Sequence, residues 1–128
     1  MSNEEYNRLA TQIVDSCYHV HTELGPGLLE SAYEYALLKE FELRNIIASN
    51  QVQIKLLYKG YDTGKYYAAD ILVENEIIIE IKCADVLHPL HTAQIISYLK
   101  LSNKKLGFLI NFHVPLIKDG SKRFVNNL

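Results

Sequence analysis

The chain predicts an α/β fold: a mixed β-sheet flanked by helices, in the order α-α-β-β-β-α-β. Two observations carry this. The first forty-odd residues hold two segments with apolar residues at three- to four-residue spacing, the helical period. They are followed by runs of β-branched and aromatic residues separated by turn signals, then by one more helical segment and a returning apolar run.

Residues 4–24 read as the first helix, with Leu9, Ile13, Cys17, Val20 and Leu24 on one stripe, stopped by Gly25-Pro26-Gly27. A second helix spans about Leu29 to Arg44 and presents Leu29, Tyr33, Ala36, Leu37 and Phe41. Residues 51–58 read as a strand, Lys59–Gly64 as a turn, and residues 66–73 and 77–83 as two strands joined into a hairpin by Glu74-Asn75-Glu76. Residues 89–102 form a helix with Pro89 in its first turn, residues 105–111 a buried strand, and the tail a short edge strand around Arg123–Val125.

The 128 residues contain no repeat, low-complexity tract or linker, so residues 1–128 form a single domain. Hydrophobic residues make up 48%, enough for a core without disulfides. The formal charge of −2 gives no global basic signature, so a nucleic-acid partner has to be met by a local patch. The two cysteines, Cys17 and Cys83, lie far apart and fit a reducing compartment. The acidic start, Met1 to Glu5, lacks the apolar core of a signal peptide, and no apolar run is long enough for a membrane span. A cytoplasmic protein without membrane partners is expected.

The chemistry concentrates in the hairpin. If Glu74–Glu76 form its loop, Val73 pairs with Ile77 and, counting outward, Asp70 faces Glu80. Lys82 projects from the same face two residues on, while Ile77, Ile79 and Ile81 enter a core. Two facing carboxylates repel unless something positive lies between them, and a hard divalent cation is one answer. The bland alternative is a surface hairpin whose charges pair with one another. Against it, Glu80 and Lys82 interrupt a strongly apolar strand, where unpaired charge is costly. A register slip by one residue would move Asp70 off that face.

These residues resemble the PD-(D/E)xK nuclease superfamily, as Asp70-x9-Glu80-Ile81-Lys82, with Ala69 in place of the proline that often precedes the aspartate. Gly27-Leu28-Leu29-Glu30-Ser31-Ala32-Tyr33 matches the Gly-x-x-Glu-x-x-Tyr signature of the GxxExxY proteins. Gln94-Ile95-Ile96-Ser97-Tyr98 is similar to the Gln-x-x-x-Tyr helix motif of RecB-type nucleases. The resemblance spans roughly residues 10–125. It implies a restriction-endonuclease-like fold, Asp70, Glu80 and the Ile81 carbonyl as ligands for Mg²⁺ or Mn²⁺, and Lys82 as the catalytic lysine. It further implies Glu30 near the metal, directly or through water, with Gln94 and Tyr98 lining the site.

Other residues have a plainer reading beside the functional one. Glu30 also suits a helix N-terminus through the helix dipole. Tyr33 either packs beneath the site with its hydroxyl on a carboxylate or is simply core. His88-Pro89 begins a helix, and His91 reaches toward a substrate phosphate. Cys83, His88 and His91 supply only three ligands at no recognised zinc-finger spacing. The expected function is a metal-dependent nuclease acting on DNA more than RNA. The competing expectation is a non-catalytic nucleic-acid- or protein-binding module that keeps the fold. A chain of this size offers little surface to grip a duplex, so a homodimer is expected.

Overall fold

The computed structural model describes residues 1–128. Helix α1 (Asn3–Leu24) starts at Ser2, whose hydroxyl accepts from the Glu5 amide at 3.1 Å. It stops at Gly25, whose φ of 73° a side chain would disfavour. Its inner stripe is Tyr6, Ala10, Ile13, Cys17 and Val20. The expected Leu9 and Leu24 lie on its flank and at its frayed end, the latter exposed. Helix α2 (Glu30–Leu43) buries Tyr33, Leu37 and Phe41 completely, whereas Leu29, expected on the stripe, stands outside as the exposed N-cap.

Five strands follow: β1 (Ala48–Tyr58), β2 (Tyr61–Val73), β3 (Ile77–Lys82), β4 (Leu106–Asn111) and β5 (Ser121–Val125). Helix α3 (Pro89–Ser102) links β3 to β4, and a 3₁₀ turn (Ile117–Asp119) precedes β5. The strands lie in the order β1-β2-β3-β4-β5. Only β3 and β4 are parallel; the other neighbours are antiparallel. This is a mixed sheet with helices on both faces, a restriction-endonuclease-like α/β fold, and α3 is the crossover that a parallel pair requires.

Two differences from the sequence reading have local causes. The turn expected over Lys59–Gly64 is only Lys59-Gly60, whose φ values of 49° and 82° close a tight two-residue hairpin with Tyr58 opposite Tyr61. Gly64, also at positive φ, lies in a bulge within β2. There the Thr63 hydroxyl donates to the Leu56 carbonyl at 2.6 Å and Asp62 accepts from the Gly64 amide at 2.8 Å. Strand β1 starts at Ala48 rather than residue 51 because Ala48, Ser49 and Asn50 pair by backbone with Val73, Leu72 and Ile71.

The larger core joins α1 and α2 to one sheet face through Ile71, Val73, Ile77, Ile79, Ile81, Phe108 and Ile110. The smaller one lies under α3 and gathers Ala69, Leu72, Ile78, Ile95, Leu99 and Leu109. Helix α3 approaches closely at Gly107, where an added Cβ would meet Ile95 and Leu99 methyls at 3.2 Å. Gly107→Val should therefore overpack this layer and cost about 1–3 kcal/mol. Urea unfolding would show a lower midpoint at an unchanged slope; an unchanged midpoint would contradict the close approach.

Candidate active site

Hairpin register decides whether the two carboxylates meet, and the loop that sets it is held from several sides. Glu74 and Asn75 adopt φ values of 52° and 58°, and the Glu76 amide donates to the Val73 carbonyl at 2.9 Å. Tyr6 of α1 donates to the Glu76 carboxylate at 2.9 Å, the Glu74 carboxylate accepts from the Ile47 amide at 3.1 Å, and Lys104 donates to the Asn75 carbonyl at 2.9 Å. Val73 consequently pairs with Ile77, Leu72 with Ile78 and Ile71 with Ile79.

Beyond Ile71 the backbone ladder ends. The Asp70 side chain takes over: its Oδ2 accepts from the Ile81 amide at 2.7 Å. That bond seats Asp70 beside Glu80, which is only 9% exposed and whose Oε1 has no hydrogen-bond partner. Burial, and then the Asp70 charge, push the Glu80 carboxyl up to about 8, with Lys82 pulling partly the other way. Lys82 is half-buried at the end of β3. The residues downstream are clamped by Asn111: its Oδ1 accepts from the Ala84 amide at 3.1 Å and its Nδ2 donates to the Ala84 carbonyl at 2.8 Å.

On the α3 side, the Tyr98 ring stacks on Tyr67 with centroids 3.8 Å apart. Both hydroxyls have raised pKa values, first through burial and then through the Glu80 charge, so both stand close to that carboxylate and stay protonated near neutral pH. Gln94 is half-buried one turn before Tyr98, outside the hydrogen bonds that order the carboxylates. His91 keeps a buried, unpartnered Nδ1 and faces His88 edge-on at 6.3 Å. His88 caps α3, its Nδ1 accepting from the Leu90 amide at 3.0 Å.

Glu30 opens α2, exposed, near enough to Cys83 to help raise that thiol's pKa after burial has done so. It does not join Asp70 and Glu80: no three His, Cys, Asp or Glu side chains gather at one point, which also leaves Cys83, His88 and His91 without a zinc site. The Tyr33 hydroxyl does not reach a carboxylate. It donates to the Gly25 carbonyl, accepts from the Leu28 amide at 3.2 Å, and its ring stacks on Phe112 at 4.3 Å. Its place is to hold the loop that leads into Glu30.

Three groups at the site are not apparent from motif reading. Glu34, one turn after Glu30, is buried and accepts from Asn50 at 3.1 Å and from Gln51 at 2.8 Å. The same Gln51 amide lies 3.5 Å from Asp70 Oδ1, and Gln51 holds a φ of 51° in mid-strand. A concavity of about 660 Å³ between α1 and β4–β5 is lined by Val14, Tyr18, Phe108 and Ile117, among others, and contains none of these carboxylates.

The donor set fits a hard divalent cation. Two carboxylates are forced together, one oxygen is left unsatisfied, and the hairpin offers oxygen ligands rather than sulfur or imidazole. The family model of the PD-(D/E)XK nuclease superfamily matches residues 7–124, and the chain belongs to that superfamily. No curated protein matches the chain.

Two predictions follow from the charges and the strain. Glu80 has a folded pKa above its ordinary 4.5, so the stabilisation from its neutral form is complete below 4.5 and lost as pH rises through about 8. The metal-free protein should lose stability over that range. Glu80→Gln should flatten the loss and melt several degrees above the native chain at about pH 8.5. Calorimetry at both ends of the range checks this, and parallel pH profiles would refute it. Gln51→Ala should cost about 1–2 kcal/mol by stripping a donor from Glu34, and Gln51→Gly less, because glycine relieves the positive φ. Equal midpoints for the two variants in denaturant would remove the strain from the account.

Proposed function

We propose that the chain hydrolyses phosphodiester bonds of nucleic acid, DNA rather than RNA, with Mg²⁺ or Mn²⁺ held by Asp70, Glu80 and the Ile81 carbonyl. The observation that carries the reading is the unsatisfied Glu80 carboxylate oxygen beside Asp70 and Lys82 in a nuclease-superfamily fold. When bound, the ion supplies charge stabilisation at the phosphoryl group and lowers the pKa of a coordinated water.

The chain's own residues do the rest. Asp70 is oriented by the Ile81 amide and faced by the Gln51 amide, so its free lone pairs are directed rather than mobile. Lys82 Nζ donates to the attacking water or the scissile phosphate and offsets charge that builds there. Glu30 reaches the centre through water. Gln94 and the protonated Tyr98 hydroxyl offer donors from α3, and His91 offers one to a flanking phosphate. The Gly27, Glu30 and Tyr33 pattern supports kinship with the GxxExxY proteins, and Gln94 with Tyr98 supports kinship with the RecB-type branch. It acts in the cytoplasm, as a homodimer. No helix is long and apolar enough to cross a membrane.

One observation favours a second reading, a binding module that keeps the fold without cleaving: Glu30 stands apart from the carboxylate pair. The two readings separate on labelled single-stranded, duplex and branched DNA, with matching RNA, incubated with each metal. Cleavage should disappear with chelator and fall at least about 100-fold in Glu80→Ala and Lys82→Ala. No cleavage by the native protein, or equal cleavage by Glu80→Ala, would overturn the nuclease. Binding that survives both the variant and chelator would favour the module.

A further inference from the structure

Strand β3 pairs with β2 only from Ile71 to Val73. The rest of β2, with β1, runs clear of β3 as a two-stranded arm. Along β1, from Gln51 to Tyr58, the arm measures roughly 23 Å at about 3.3 Å per residue. Short of Asp70 it carries Lys55, Lys59 and Lys65 against a single Asp62, in a chain whose net charge is −2. Lys55 is tied to Asp62 at 3.6 Å, which leaves Lys59 and Lys65 as its free cations. Tyr58 and Tyr61 pair across the tip and remain 61% and 77% exposed, with Lys59 Nζ 5.5 Å from the Tyr58 ring centroid.

The arm leans on α3, and between them lies a groove of about 430 Å³. Leu57, Tyr58 and Lys59 form one bank; Ser97, Lys100 and Leu101 form the other. Each bank supplies a lysine, and no carboxylate lines the groove. Ser97 and Leu101 share an α3 stripe with Gln94, at the helical repeat. That stripe leads from the groove to Gln94, one turn before Ser97, and to the Tyr67–Tyr98 stack beside Glu80.

We propose that the arm and α3 are the two banks of a channel that binds a single strand of nucleic acid and leads it to Asp70 and Glu80. This rests on the nuclease reading and adds the substrate class, a single strand rather than a closed duplex. Lysines on both banks attract a phosphate backbone locally in a chain whose net charge is −2. Exposed tyrosine rings stack on bases that have no pairing partner, and stacking tolerates any sequence.

The test measures binding apart from cleavage. A fluorescent oligothymidylate of about twelve nucleotides, and a duplex of the same length, are titrated in EDTA and followed by anisotropy. The native chain should bind the single strand more tightly than the duplex. The double variant Lys59→Ala/Lys100→Ala should weaken single-strand binding at least about tenfold and reduce the salt slope by about 1.4, the expectation for two lost phosphate contacts. Tyr58→Ala/Tyr61→Ala should weaken it at least about fivefold with the salt slope unchanged. All four side chains are on the surface, and circular dichroism confirms that the variants stay folded. No binding by the native chain, duplex preference, or unchanged affinity in both double variants would overturn the channel. A chain that binds in this pattern yet cleaves nothing would refute the nuclease while leaving the channel standing.

Discussion

The amide of Ile81 donates to the Asp70 carboxylate where the β2–β3 ladder would otherwise continue backbone to backbone. That single substitution of a side chain for a carbonyl pins Asp70 against β3 and makes it the neighbour of Glu80. It also makes the site dependent on register. One residue of slip would exchange the core-facing isoleucines for the charged face. The loop at Glu74–Glu76 is accordingly tied to α1 by Tyr6, to the residue before β1 through Ile47 and to the turn after α3 by Lys104.

The same constraint creates frustration. A carboxyl that is 9% exposed, faces a second carboxylate and has an unsatisfied oxygen is held against its own solvation. Nothing in the core requires a charge at position 80, since its strand neighbours are isoleucines buried on both faces. The tension persists because surrounding groups over-determine it. Asn111 clamps the chain after Lys82, the Tyr67–Tyr98 stack closes the α3 side, and Gln51 shares its amide between Glu34 and Asp70. Locally unfavourable features accumulated at one point are the usual mark of a site shaped for binding rather than for stability.

The element order and most boundaries could be read directly because they depend on short-range signals. Gly25 stops α1, Pro89 opens α3, and the isoleucine run of β3 is unmistakable. Asp70, Glu80 and Lys82 were legible because their spacing is measured within one hairpin. The extent of the arm was not, since Thr63 and Gly64 carry the chemistry of a turn yet serve a bulge. Glu34, Asn50, Gln51 and Asn111 were invisible for a different reason. Each matters through a partner many positions away, and nothing local distinguishes them from ordinary surface amides and acids. Tyr33 shows the limit of motif reading. Its ring is core and its hydroxyl holds the loop before Glu30, a structural duty that a signature alone does not reveal.

The hairpin and the crossover differ in how far apart in sequence their contacts lie, and this orders the assembly of the site. Asp70, Glu80 and the Ile81 amide belong to one hairpin closed by a short loop, which forms in microseconds. The β3–β4 pair and the Asn111 clamp wait for α3 to fold back, a closure with a larger entropic cost. The carboxylates thus meet first in water, where their repulsion is weak. They feel each other fully only when α3 and its tyrosines dock and expel that water. The electrostatic strain is therefore set when α3 docks rather than when the hairpin forms, and a cation bound between the carboxylates would ease the docking itself.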